Sequence, residues 1–517
     1  MKRTLSLMLC LALLLLPGCG RDLGDYEPTG KGLTWDEEEL PTEITETTEA
    51  VIQEEDLVLI YYPDIPLNPF TCTDYTNRAL LSLMYQGLFV TDSDYQVYPI
   101  LCDFYTVSQD QRTYTIYLRE DATFSDGTPV TMEDVLACYQ KALQCDYYRG
   151  RFRNVYSVTL ADDGGLKFYL NTAYENFCIL LDVPIIKATE IDTEYPLGSG
   201  PYQLEYTNAG ARLRLKKDWW CQAQLPFTAS SIPLQEADDI YQIRDSFEFG
   251  DVGLVCANPG TESYADYRSD YELWDCENGI FLYIGCNTEK GSLFANTTLR
   301  KALTYAVDRD LLVDTYYHSF AYSASLPASP LSPYYSNQLA AKYAYNPDKF
   351  HAALAETGNV GATVRILVNE ADTLRLRVAR EIGKILESYG LVVEMFEYRD
   401  ENYTYMLGIG KYDIYVGKTR LSPNMDLSTF FSKYGALHQG GMSDPVLYSM
   451  CQEALANKGN YYNLHQKVMD DGRLVPLLFH TYSIHVTRGL LPNLDPARDN
   501  VFHYTLGRTL KDAFRDT

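Results

Sequence analysis

The sequence predicts an α/β protein, and three observations carry that expectation. Tyr114, Ile116 and Leu118 alternate with Thr115, Tyr117 and Arg119, the period-2 pattern of a half-buried strand. Ser125-Asp126-Gly127 then supplies turn chemistry, and Thr131 with Asp134 opens an amphipathic helix through Val135, Leu136, Tyr139 and Leu143. Far downstream, Leu374 to Tyr389 has helical spacing, Gly390 caps it, and Leu391-Val392-Val393-Glu394-Met395 reads as the strand that follows.

Before any of these elements comes a leader. Lys2 and Arg3 precede an apolar run from Leu5 to Leu16, too short to span a bilayer comfortably and placed like the core of a signal peptide. Leu16-Pro17-Gly18-Cys19 resembles a bacterial lipobox, although Pro17 is an unusual occupant. Residues 1–18 are thus expected to be a lipoprotein signal peptide, with Cys19 as the lipidated N-terminus. An uncleaved anchor is the alternative, and both place the rest of the chain outside the cytoplasmic membrane. Residues 19–56 carry Asp36-Glu37-Glu38-Glu39 and a Thr/Glu-rich stretch with few large apolar side chains, which predicts a disordered acidic tether.

What remains, about 460 residues, is enough for two or three domains with large cores. The net charge of −27 disfavours nucleic acid as a partner, since phosphate contacts need clustered Lys and Arg. Twelve cysteines include no C-x-x-C pair and no Cys/His cluster of zinc spacing. Apart from Cys10 and Cys19 they are read as buried free thiols, with one or two bridges as the minor alternative. Motifs of nucleophilic, zinc-dependent or nucleotide chemistry are absent as well, and no cofactor or metal is expected. His480 and His485 lie five apart on an apparent strand, so they face opposite sides and make poor joint metal ligands. The forty-four tyrosines are better suited to contacting a varied ligand, each offering a flat ring and one hydroxyl.

Thr113 to Val135, TYTIYLREDATFSDGTPVTMEDV, is similar to the block R-K-D-x-x-F-x-D-G-T-P-V-T-A-x-D-V of the family 5 extracellular solute-binding proteins. Further stretches fall in that family's order: Leu67-Asn68-Pro69 with Tyr85-Gln86-Gly87-Leu88, Gly198-Ser199-Gly200-Pro201-Tyr202, Tyr283 to Asn287, Leu299 through Arg309, and Tyr345-Asn346-Pro347-Asp348-Lys349. The resemblance runs from about Leu57 to His485.

It implies a two-lobed periplasmic-binding-protein fold of class II, the large peptide-binding type with an extra inserted domain and a hinge between lobes. The expected boundaries are 57–70, 189–285 and 480–517 for the ligand-framing domain of lobe one, 71–188 for its inserted domain, and 286–479 for lobe two. It also implies a non-enzymatic receptor of an ATP-driven importer, capturing a peptide or peptide-like solute for a membrane permease with cytoplasmic ATPases. A nickel-complex or oligosaccharide binder on the same scaffold, a sensor or envelope lipoprotein that lost transport, and an extracytoplasmic hydrolase stay open.

Peptide-binding members use a G-W-x-x-D-x-x-D-P segment whose first Asp pairs with the peptide's α-amine. Here Arg420 stands at the Trp place and Pro423 at that Asp, while Asp426 survives at the second acidic place, followed by Leu427. An α-amine loses its expected partner, and a guanidinium offers bidentate binding of carboxylate or phosphate instead. The alternative is that Arg420 pairs with Asp426 or another neighbour and only shapes the wall. By the same resemblance Tyr75, Tyr283 and Phe479 fall at or near aromatic or apolar pocket positions, each of which could equally be core.

Overall fold

The computed structural model describes residues 57–223, 229–261, 263–491 and 494–503. Cys19, the leader and the acidic tether lie outside them. The described chain enters through β1 (Leu59–Tyr61), whose three side chains are all buried. Helix Tyr75–Met84 follows, capped by Asp74, whose side chain accepts from the Thr76 and Asn77 amides. Asn77 is fully buried and binds back to the segment before it: its Nδ2 donates to the Tyr62 and Ile65 carbonyls at 2.9 and 2.8 Å, and its Oδ1 accepts from the Tyr62 amide at 2.8 Å. The helix is therefore tied to residues 57–70, although the expected boundary at 70/71 separates them.

Six short strands come next: β2 (Phe89–Thr91) and β3 (Val97–Pro99) as a hairpin, then β4 (Cys102–Val107), β5 (Thr113–Leu118), β6 (Val155–Leu160) and β7 (Leu166–Leu170). The last four form an antiparallel sheet in the order β4-β5-β7-β6, covered by helix Met132–Ala142. β5 is the strand read from the alternation. Tyr114 and Ile116 are buried as expected, and Thr115 is buried too because Gly165 lets β7 approach its methyl. Beyond it Asp126 accepts from the Thr128 amide at 2.9 Å and from Lys187 Nζ at 2.6 Å, and Gly127 takes the left-handed φ of +83° that this turn requires. Thr131 and Asp134 form a reciprocal capping box.

These groups tie the turn and the helix start to residues 188–216. The Ser125 amide donates to the Gly198 carbonyl, Lys216 Nζ to the Phe124 carbonyl, and the Ala188 amide to Asp134 Oδ1. Residues 198–200 press against the end of helix Tyr75–Met84, where a Cβ on Gly198 or Gly200 would collide with the Met84 backbone. From there β8 (Tyr202–Thr207), β9 (Gly210–Leu215) and β10 (Ser231–Glu236) complete a four-stranded sheet, β1-β10-β9-β8.

Lobe two is attached through two long strands. β11 (Leu254–Ala257) leads to β12 (Tyr271–Cys286); β13 (Ala321–Ser323), β14 (Thr363–Asn369), β15 (Val392–Tyr398) and β16 (Ile414–Arg420) follow, and β17 (Leu474–Thr487) ends the sheet. The order is β11-β17-β12-β16-β14-β15, with β13 on β17. The β12–β17 ladder runs from Tyr271↔Thr487 to Gly285↔Leu474 and is broken by bulges between Glu277 and Phe281 and between Leu282 and Tyr283. Its first half pairs beside β11 in lobe one, and its second half carries β16 in lobe two. Helix Thr373–Ser388 crosses between the parallel strands β14 and β15, with Gly390 at φ +87°, as its sequence pattern predicts. Val378, Ile382 and Leu386 bury its inner face against Val364, Ile366 and Val368. In the 299–309 stretch, Arg300 and Arg309 turn inward and clamp backbone carbonyls: Arg300 Nε donates to Asp471 O at 3.0 Å and Arg309 Nε to Pro476 O at 2.8 Å.

All ten described cysteines are free thiols, nine of them buried. His480 and His485 face different surroundings, as their spacing predicts: His480 Nδ1 lies 2.9 Å from Asn278, while His485 sits among Phe247, Tyr264, Tyr267 and Tyr271. His465 is fully buried beside Tyr461, and neither of its ring nitrogens has a hydrogen-bond partner among the described residues. Burial pushes its pKa down to about 3. Below an unfolded pKa of about 6.5 the unfolded chain binds the proton that the folded imidazole refuses, so stability declines as pH falls from there toward 3. Thermal melts of His465→Leu should show a Tm at pH 7 no lower than wild type and, at pH 4, recovery of up to about 3 kcal/mol of the acid-induced loss; an unchanged acid slope would contradict this.

Candidate functional site

Arg420 is the last residue of β16, opposite Ile280 where β12 bulges. Its guanidinium leaves lobe two and meets lobe one: Nη2 donates to Tyr147 Oη at 2.6 Å and pairs with the Asp499 carboxylate of the C-terminal segment. It also lies 4.2 Å from the Tyr147 ring centroid. Burial disfavours its charged form, yet Asp499 and Tyr147 more than offset this and hold its proton more firmly than water does. A second guanidinium, Arg78 of helix Tyr75–Met84, sits 3.4 Å from the centroid of the same ring. Arg78 is fixed by the Cys72 carbonyl at 3.0 Å and by Tyr148 Oη at 3.1 Å.

Behind this cluster lies Glu277, 4 % exposed on β12 just before the bulge. Both of its oxygens accept from Tyr95 Oη at 2.8 Å, and Oε2 also accepts from Ser329 Oγ at 2.8 Å. Arg498 Nη1 stands 3.8 Å from Oε1, and the same guanidinium donates to the Leu421 carbonyl. Burial raises the Glu277 pKa and Arg498 opposes the rise. Gly279, at φ +69°, is what admits Arg498, because a Cβ there would collide with the guanidinium. One acid thus gathers the β2–β3 hairpin, a loop of lobe two and the C-terminal segment.

The sequence-derived candidates separate into three groups. Tyr75 stacks on Tyr482 with centroids 4.9 Å apart, and Tyr482 on β17 couples electrostatically to Tyr147, Arg420 and Asp499, so Tyr75 and Arg420 belong to one assembly. Tyr283 and Phe479 form another with Phe281 between them, at 5.4 and 4.9 Å, and Phe430 meets Tyr283 edge-on at 5.0 Å. Both are fully buried here. Tyr283 lies across Gly417 and Tyr415 across Gly285, each on the cross-strand partner's bare backbone. Asp426 is apart from Arg420: its Oδ1 accepts from the Ser428 amide at 2.8 Å and from Ser428 Oγ at 2.6 Å. Burial raises its pKa, with Arg153 of the inserted domain acting against the rise. Pro423, at the place of the expected acid, is buried.

Sequence reasoning did not find Arg78, Tyr147, Glu277, Tyr482, Arg498 or Asp499. Local patterning could not, because each belongs to an unremarkable stretch and they meet only after folding.

The model of the bacterial extracellular solute-binding proteins, family 5 Middle, matches residues 96–440. The glutathione-binding protein GsiB of Salmonella typhi is 28% identical over 307 residues, 56% of this chain and 59% of that protein; the one from Escherichia coli K12 is 27% identical over the same extent. The match therefore spans 59% of the length of these curated relatives. Among solved structures, AppA from Clostridium difficile aligns with a TM-score of 0.70 at 17% identity, covering 86% of this chain and 98% of that one. NikZ from Campylobacter jejuni, in complex with Ni(L-His), gives 0.61 at 17% identity over 88% and 99%, and the periplasmic murein tripeptide-binding protein MppA in its unliganded open form gives 0.70 at 14% over 85% and 94%. These likenesses establish the two-lobed fold, and the match across residues 96–440 places the chain in family 5 of the bacterial extracellular solute-binding proteins.

Proposed function

We propose that the protein is the extracytoplasmic substrate-binding lipoprotein of an ABC importer, taking up a peptide or peptide-like solute between its lobes and presenting the closed form to a membrane permease. The observation that supports this most is the Arg420–Tyr147–Asp499 contact, made by side chains of both lobes. Such a contact forms on closure and breaks on opening, as a hinged receptor requires. Arg420 uses only Nη2 for Tyr147 and Asp499, and Nε and Nη1 make no hydrogen bond among the described residues. Those donors would take a ligand carboxylate, with Tyr75 and Tyr482 as the neighbouring aromatic surface. Tyr283 and Phe479 contribute from beneath, by holding β12, β16 and β17 in place.

No helix among the described residues is long and apolar enough to cross a membrane. Attachment is assigned to lipid on Cys19, with residues 20–56 as the spacer. A metal-chelate or oligosaccharide cargo is the second reading, favoured by Pro423 at the place where an acid would hold an α-amine.

The cargo is tested by native mass spectrometry of the purified chain followed by denaturing release, with a thermal-shift screen of glutathione, short peptides, murein tripeptide, oligosaccharides and nickel chelates. A cargo at about 100 times its Kd should stabilise by about 2.7 kcal/mol; a chain that carries and answers to none of these classes would remove the receptor reading. Arg420→Ala should weaken closure by about 2 kcal/mol or more, seen as a larger radius of gyration in ligand-saturated small-angle scattering. An equally compact variant with wild-type affinity would deny Arg420 both roles. Cys19→Ala should move the protein from the membrane fraction to the medium or periplasm, and retention at the membrane would point to another anchor.

A further inference from the structure

A cavity of about 170 Å³ lies between helix Tyr75–Met84, the β2–β3 hairpin and the C-terminal segment. It shares Arg78, Tyr147 and Asp499 with the Arg420 cluster, but no described residue of 286–479, the expected lobe two, lines it. On those boundaries it is a pocket of one lobe and not the space between two. Leu81, Tyr85, Phe89, Ile100, Trp219 and Phe502 form its apolar walls, and all six are buried. An apolar cavity of about 150 Å³ holds benzene, so this one has room for a single ring.

The polar end of this cavity is short of partners. The Arg498 side chain is 5% exposed, and its Nη2 donates to the Leu421 carbonyl. Its Nε and Nη1 are buried with no hydrogen-bond partner among the described residues; Glu277 Oε1 stands 3.8 Å from Nη1 and Asp499 Oδ2 3.8 Å from Nε. Asn500 Oδ1, on the same wall, is buried without a donor among them as well. The acids that line the cavity are already committed, Asp182 to Arg151 and Asp499 to Arg420. Each buried polar group left unmade costs about 1–3 kcal/mol, and a charged one more. Water is poorly held where Tyr85, Phe89, Trp219 and Phe502 supply most of the wall, because it needs two to four polar partners. A ring that carries an anionic acceptor and a hydroxyl donor satisfies both ends and fills the apolar part.

We propose that this cavity is a second small-molecule site, which takes a monocyclic hydroxy-carboxylate: the ring lies among the aromatic walls, the carboxylate accepts from Arg498, and the hydroxyl donates to Asn500 Oδ1. The inference goes beyond the solute-binding reading and does not rest on it, since the cavity is walled without residues 286–479 and needs no cargo between the lobes. Charge sets the selection. An ammonium in the same place would face the Arg498 guanidinium, and a neutral alcohol would forgo the charge-assisted bond that a carboxylate makes with it.

Isothermal titration of the full chain with 2-, 3- and 4-hydroxybenzoate, benzyl alcohol and benzylamine tests the assignment. At least one hydroxybenzoate should bind, about tenfold or more tighter than benzyl alcohol, and benzylamine should not bind. Val90 lines the cavity from β2 and is half-buried, so Val90→Phe narrows the space while leaving Arg498 intact. That variant should weaken the best acid about tenfold or more. In Arg498→Gln the acid and the alcohol should bind within about twofold of each other. The wild-type series and Val90→Phe decide the matter even if Arg498→Gln fails to fold. Binding of none of the three acids would mean that water alone fills the cavity and would overturn the site. Equal binding of alcohol and acid by wild type, or wild-type affinity for the acid in either folded variant, would overturn it as well.

Discussion

The pairing of β12 with β17 is the constraint on which the other parts depend. These two strands belong to both lobes at once, so every angle between the lobes is set by how their ladder bends. The bend is localised, because the ladder slips between Glu277 and Phe281, and a bulge concentrates twist and curvature where it falls. Glu277 makes that point costly to disturb. A buried carboxylate needs several donors to remain in place, and Tyr95, Ser329 and Arg498 arrive from three separated parts of the chain. The hinge is thus the place where the charged groups of both lobes are collected, and Arg420 at the end of β16 is fixed relative to the same bulge.

Around this frame the Asp126 turn is tied to the segments around residues 198 and 216. The turn at Asp126 and the capping box at Thr131 give their remaining donors and acceptors to residues 187–216 instead of to water. Glycines at 198 and 200 let that segment lie against the end of helix Tyr75–Met84. Motion between the lobes can then be borne by β12, β17 and the chain near Asp499, while the contacts inside lobe one stay fixed.

The legible parts of the sequence were those whose causes are local. Alternation wrote β5, the capping box wrote helix Met132–Ala142, and Gly390 ended helix Thr373–Ser388. The absence of paired cysteine spacing matched the ten free thiols. Asn77 reaches back across the expected boundary at residue 70/71 through hydrogen bonds that no periodicity encodes. Arg420 was marked by its departure from the family pattern, but its partner was not legible. Asp426 is six positions away and Asp499 seventy-nine, and only the fold prefers the distant acid. Tyr147 and Arg78 were hidden for the same reason, since a site assembled from five segments leaves no spacing to read.

The two tyrosines crossed over glycines on β12 and β16 work as a key for alignment. Tyr283 fills the space above Gly417, and Tyr415 fills the space above Gly285, on adjacent antiparallel strands. Sliding either strand by one residue would set each ring against a side chain and turn Arg420 to the opposite face of the sheet. The interlock therefore admits a single alignment of the strands, and that alignment decides that the guanidinium points across to lobe one. A pair of buried rings thus governs where the charge is delivered.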